Sequence, residues 1–78
     1  MFNIKATPDK IKSSDNSQIN GSGGAPPYSI TAYGPGTFVQ TDTEGGTYTP
    51  IVIPSTYLVT FWAKDQNDAL ARCTLQVN

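Results

Sequence analysis

The sequence predicts an all-β domain, an antiparallel β-sandwich of about seven short strands with Greek-key connections. Three observations lead there. Apolar and polar residues alternate with period two in four stretches, as they do along a strand with one buried face. Clusters of Gly, Pro, Asn and Asp separate the stretches at the roughly eight-to-twelve-residue spacing of small sandwiches. No helical period, heptad or helix cap occurs anywhere.

The elements follow in order. In "FNIKATP", Phe2, Ile4 and Ala6 alternate with Asn3, Lys5 and Thr7, and Pro8 ends the strand because it brings no N–H to a ladder. The polar connection "DKIKSSDNSQ" holds one apolar residue, Ile11, expected to pin it to the core, and a short second strand is expected over Ser17 to Ser22. "GSGGAPPY" then leads into "YSITAY", where Tyr28, Ile30 and Ala32 share one face and Ser29, Thr31 and Tyr33 the other. A glycine loop that cradles phosphate needs a helix after it, so that backbone N–H groups and the helix dipole converge on the anion. Here a β-branched and aromatic segment follows, and Pro26 and Pro27 remove two donors, so the loop is read as a turn.

"GPG" at residues 34–36 is a tight turn, "TFVQT" a strand and "DTEGG" the next turn. "TYTPIVI" reads as a strand that Pro50 and Pro54 confine to an edge or break in two. In "TYLVTFWAKD", Tyr57, Val59, Phe61 and Ala63 oppose Leu58, Thr60, Trp62 and Lys64. "QNDA" turns the chain, and "LARCTLQV" returns with Ala71, Cys73, Leu75 and Val77 inward and Arg72, Thr74 and Gln76 outward. The expected core is Phe2, Ile4, Ile19, Tyr28, Ile30, Phe38, Tyr48, Tyr57, Val59, Phe61, Cys73, Leu75 and Val77.

With 78 residues the chain forms a single domain, residues 1–78, of a size that buries only roughly 60% of its unfolded surface. Five basic and six acidic residues give a net charge of −1, which makes no electrostatic case for nucleic acid or an anionic membrane. Lys5, Lys10 and Lys12 suit a solvated edge strand that resists pairing with another chain. Residues 1–20 hold no apolar run of signal-peptide length, and no segment approaches the roughly 20 apolar residues of a membrane span. Membrane insertion is therefore not expected; the chain stays in a cytoplasm, leaves without a cleavable signal, or is a module of a longer protein.

Few residues offer chemistry. The absence of histidine removes His-based triads and the commonest zinc ligand together. Cys73 is the only cysteine, so no internal disulfide forms, and its phase with Leu75 and Val77 marks a buried small hydrophobe rather than a reactive thiol. Asp65, Asn67 and Asp68 have spacing reminiscent of a calcium loop but lack the Gly and downstream Glu of an EF-hand, and Asx residues also build turns. A hairpin tip gives Asp65 and Asp68 no cleft for paired-carboxylate hydrolysis. Asn20-Gly21-Ser22 matches a glycosylation acceptor by chance composition. Trp62 is the informative residue: its phase puts it on the outer face of a central strand beside Leu58, as a contact anchor for a protein or a sugar ring. A bulge shifting the phase, or a loop folded over the ring, would remove it from the surface. No cofactor motif emerges, and no catalytic constellation.

"GSGGAPPYSIT", "GPGTF", "GGTYTP" and the closing hairpin "TYLVTFWAKDQNDALARCTLQV" resemble the immunoglobulin-like repeats of bacterial surface proteins and tailed-phage virion proteins, over roughly residues 4–77. The resemblance implies an immunoglobulin-like sandwich and a non-catalytic module on a virion or extracellular surface. Such modules serve as capsid or tail decorations, adhesion modules or spacers. Their implied partners are other virion or surface proteins and host-surface glycans. Trp62, Leu58 and Tyr33 are the expected contact residues, with Tyr28 a further ring for stacking on sugar if the module binds carbohydrate. The sequence departs from the repeats at Asn67-Asp68, where Asn-Gly is commoner, and at Trp62 and Cys73, where small or β-branched residues are commoner.

Overall fold

Period-two alternation becomes strand wherever the turns allow it. The structure, a computed structural model describing residues Met1–Asn78, contains eight strands and no helix. They are β1 (Asn3–Thr7), β2 (Lys10–Ile11), β3 (Ser17–Ser22), β4 (Ser29–Tyr33), β5 (Thr37–Asp42), β6 (Gly45–Thr49), β7 (Tyr57–Lys64) and β8 (Leu70–Val77). They form two four-stranded sheets, in the orders β1-β3-β6-β5 and β2-β8-β7-β4. Apolar residues from both sheets meet in one core cluster, giving a sandwich-like all-β fold.

Aromatic rings join the sheets. Phe61 on β7 is fully buried and meets Tyr48 on β6 edge-on, with ring centroids 5.4 Å apart, and Phe38 on β5 at 5.7 Å. Edge-to-face packing of this kind aligns the positive rim of one ring with the negative face of the next. The Tyr48 hydroxyl donates to the carbonyl of Pro35, so the "GPG" turn is tied to the core beneath it. Of the residues expected inside, Ile30, Phe38, Tyr57 and Cys73 are only partly buried and the rest are buried. Ala6, Ile11 and Ala63 complete the cluster, and Ile11 does pin the long polar connection.

Three details differ from the sequence expectation. β2 is an eighth strand of two residues, and it pairs in parallel with Gln76 and Val77 of β8, so the sandwich is not wholly antiparallel. The reason lies in Ile11: once its side chain is buried next to Val77, the backbone around it is carried alongside β8. Gln76 then donates its N–H to Asp9, and Asn78 donates to Ile11. The "TYTPIVI" strand is neither an edge nor two pieces: β6 lies between β3 and β5 and stops at Thr49, because Pro50 has no N–H to continue the ladder. Beyond it, the Tyr57 hydroxyl donates to the Ile51 carbonyl at 2.8 Å and accepts from the Ile51 N–H at 3.1 Å, substituting for a strand partner.

The outer edge of β4 is also filled by a side chain. Gln40 on β5 donates to the Tyr28 carbonyl at 2.5 Å and accepts from the Ile30 N–H at 3.4 Å, bridging the two sheets where no strand pairing occurs.

Candidate functional site

Two regions gather the residues singled out by sequence, and the structure gives them different roles. The first is the β7–β8 turn. Asp65 was expected on an exposed hairpin tip, yet it is only 6% exposed. One carboxylate oxygen accepts the N–H groups of Asn67 at 2.9 Å and Ala69 at 2.8 Å, and the other accepts the N–H of Ala25 at 3.1 Å. These bonds, the one from Ala25 foremost, hold its carboxyl below the usual carboxylate range. Asp65 therefore builds the turn and clips it to the loop after β3. Asn67 is exposed and offers only its backbone to Asp65, while Asp68 takes a positive φ of 64° and pairs with Lys64 at 3.2 Å. The three residues do not converge on a common point: no cluster of metal-ligating side chains forms.

The glycine loop serves the same clip. A Cβ on Gly24 would stand 2.6 Å from the Phe2 ring and 2.8 Å from an Asp65 carboxylate oxygen, and one on Gly21 would stand 2.6 Å from the Tyr28 ring. Glycines stand here so that two rings can close over the backbone. Tyr28 is consequently buried, as expected of a core residue, 4.7 Å from Phe2 between ring centroids, and is not free to stack on a sugar ring.

The second region is the outer face of the β2-β8-β7-β4 sheet. β7 and β8 pair over their full lengths without a bulge, so the predicted phase is kept and Trp62 points outward. Trp62 faces Thr31 on β4 and Arg72 on β8, and the next row holds Tyr33, Thr60 and Thr74. Leu58 and Gln76 follow, with Lys10 of β2 beside them. Trp62, Tyr33 and Leu58 are thus assembled around Thr60 and are 40%, 59% and 61% exposed. No loop covers the tryptophan; the guanidinium of Arg72 lies 5.3 Å from its ring centroid instead. Sequence reading placed Arg72 outward but did not connect it with Trp62. The connection was available, because a turn centred on Asn67 sets residues 62 and 72 opposite each other.

Cys73 points inward from β8 and is partly buried, and burial pushes its thiol up to about 11. A thiol so shifted is a poor nucleophile at neutral pH. Lys5 and Lys10 sit exposed on β1 and β2, the edge strands of their sheets.

No family model matches the sequence, and no curated protein matches it.

Proposed function

We propose that the chain is a non-catalytic immunoglobulin-like module of a virion or cell surface, acting in attachment or adhesion. The strand order supports the immunoglobulin-like reading. β1-β3-β6-β5 corresponds to the ABED sheet of a constant-type domain and β4-β7-β8 to its CFG sheet. Counting β1 and β2 as one strand interrupted at Pro8 would bring the eight strands to seven, which is further support for this reading.

The contact role rests on one observation: Trp62, Tyr33 and Leu58 stand exposed together on one sheet face, across ladders without a bulge. Large aromatic side chains have few rotatable bonds and so lose little entropy when they are covered, and such residues dominate binding energies. Other virion or surface proteins and host-surface glycans are the partners such a face fits.

The test is to probe virions and cells of the source with an antibody against this domain and image the label. Ordered labelling on a particle or envelope supports display. Label found only in the soluble fraction overturns it. Purified domain added back to stripped particles or to host cells, wild type against Trp62→Ala, then reports whether this face makes the contact.

A further inference from the structure

The cations of this chain are unevenly placed. Lys10, Lys64 and Arg72 lie on the β2-β8-β7-β4 face, whose other outward residues are Ser29, Thr31, Tyr33, Leu58, Thr60, Trp62, Leu70, Thr74 and Gln76. No carboxylate is among them. Asp68 at the neighbouring turn is matched to Lys64, and this is the sole ion pair in the structure. Arg72 therefore keeps an uncompensated charge, and its guanidinium has no hydrogen-bond partner within the protein while it lies over the Trp62 ring, 5.3 Å from the centroid. In a chain of net charge −1, this face is the one that favours an anion.

We propose that the face binds an acidic polysaccharide, with Trp62 and Tyr33 as stacking surfaces and Arg72 as the group that reads a ring carboxylate. The proposal rests on the adhesive reading of this face and names its ligand. Three features favour a sugar chain over an acidic peptide. The exposed apolar groups are interleaved with the hydroxyls of Thr31, Thr60 and Thr74, whereas a protein hot spot is centred on a closed, desolvated pocket. Alternating rings and hydroxyls match a saccharide, whose C–H faces stack on aromatics while its hydroxyls exchange hydrogen bonds. Tyr33 lies diagonally across the β4–β7 ladder from Trp62, at the about 7–8 Å separation of diagonal neighbours, so two sugar units of one chain can each meet a ring. The β4–β7 and β7–β8 ladders run in register across this face, which gives a polymer a track to follow.

Arginine suits the role because its planar fork donates two parallel N–H bonds to a carboxylate, which lysine cannot do. Lys10, two rows along the same face, adds charge without that geometry.

Polygalacturonate, polysialate and hyaluronate would be immobilised and titrated with the folded domain at low salt. Fully methyl-esterified polygalacturonate serves as the uncharged control and poly-glutamate as the carboxylate polymer without rings. The expected result is saturable binding to at least one acidic polysaccharide and little to either control. Arg72→Gln and Trp62→Ala should each weaken it about ten-fold, in the range set by one charge-assisted hydrogen bond or one buried aromatic anchor. Arg72→Lys should recover only part of the loss. Tyr33→Ala, on an exposed site of an edge strand, serves as an independent variant if Trp62→Ala does not fold.

Equal binding to poly-glutamate, equal binding to the methyl ester, insensitivity to Arg72→Gln, or binding to none of the three polysaccharides overturns the proposal. Trp62-dependent binding to particles or cells that persists without any polysaccharide binding sinks the ligand assignment alone and leaves the adhesive reading standing. Polysaccharide binding by a domain found on no surface does the reverse.

Discussion

A carboxylate oxygen of Asp65 accepts the backbone N–H of Ala25 at 3.1 Å, across forty positions of sequence. The same side chain holds the amides of Asn67 and Ala69, so one residue shapes the β7–β8 turn and fastens it to the loop between β3 and β4. Gln66 strengthens the join by donating its N–H to the Ala25 carbonyl at 2.9 Å and its side-chain amide to the Pro27 carbonyl at 3.2 Å.

Acid should loosen this end of the molecule first. The folded-state pKa of Asp65 lies below the ordinary 3.8, so its contribution is present above that value and is lost as pH falls through the lower, folded-state one. The melting temperature of the wild type should fall below about pH 4. Asp65→Ala should melt lower at pH 7, and the two curves should converge in acid. Parallel curves from pH 7 to pH 2 would count against the clip.

Gly24→Ala should be destabilising by about 1–3 kcal/mol, the usual cost of forcing atoms into a packed site. The new methyl meets the Phe2 ring and the Asp65 carboxylate together. Urea unfolding would show a lower midpoint at an unchanged slope. A neutral result would mean that the loop lifts freely from both partners.

Phe61→Ala should remove about 3–5 kcal/mol, since a fully buried ring is deleted from between Tyr48 and Phe38. Set against the about 5–15 kcal/mol of net stability typical of folded proteins, a loss of that size removes a large share of the margin and lowers the melting temperature markedly. Tyr48→Phe should be milder, about 1 kcal/mol for the hydrogen bond to Pro35. Circular dichroism melts separate the two.

Cys73 should react slowly with a thiol reagent at pH 8, because its pKa near 11 leaves little thiolate. Denaturant should speed the reaction many-fold. Rapid labelling of the native protein would show that the β8 edge opens readily.

Arg72→Gln should change stability by no more than about 1 kcal/mol, the scale of an exposed cation–π contact. This makes it a clean reagent for binding experiments.

Alternation carried most of the fold. From "TYLVTFWAKD" and "LARCTLQV" alone, the buried face of the final hairpin and the outward position of Trp62 could be read, because an unbulged ladder preserves phase over its full length. The parallel β2 could not be read, since Lys10 and Ile11 are too few to show a period and their pairing is set by the burial of Ile11. Asp65 was misread as a tip residue for a related reason: its third hydrogen bond comes from a loop that is remote in sequence. Tyr28 was legible as a core residue from its phase with Ile30, but its enclosure by Phe2 and Gly21, which removes it from any stacking role, comes from contacts remote in sequence. At the outer face, Trp62, Leu58 and Tyr33 were each visible in phase, whereas Arg72 needed the register of the turn.

The parallel pairing of β2 with β8 also decides how the domain answers a pull. β8 runs down to the C-terminus as β2 does away from the N-terminus, and Met1 and Asn78 leave from opposite ends of a body 40 Å long. Tension between the two termini would load β1 on β3 first and then draw β2 and β8 past each other along their length, straining the Asp9–Gln76 and Ile11–Asn78 bonds together rather than peeling them one after another. A tethered domain so wired resists force at its own seam, and the few residues around Ile11 set when it yields.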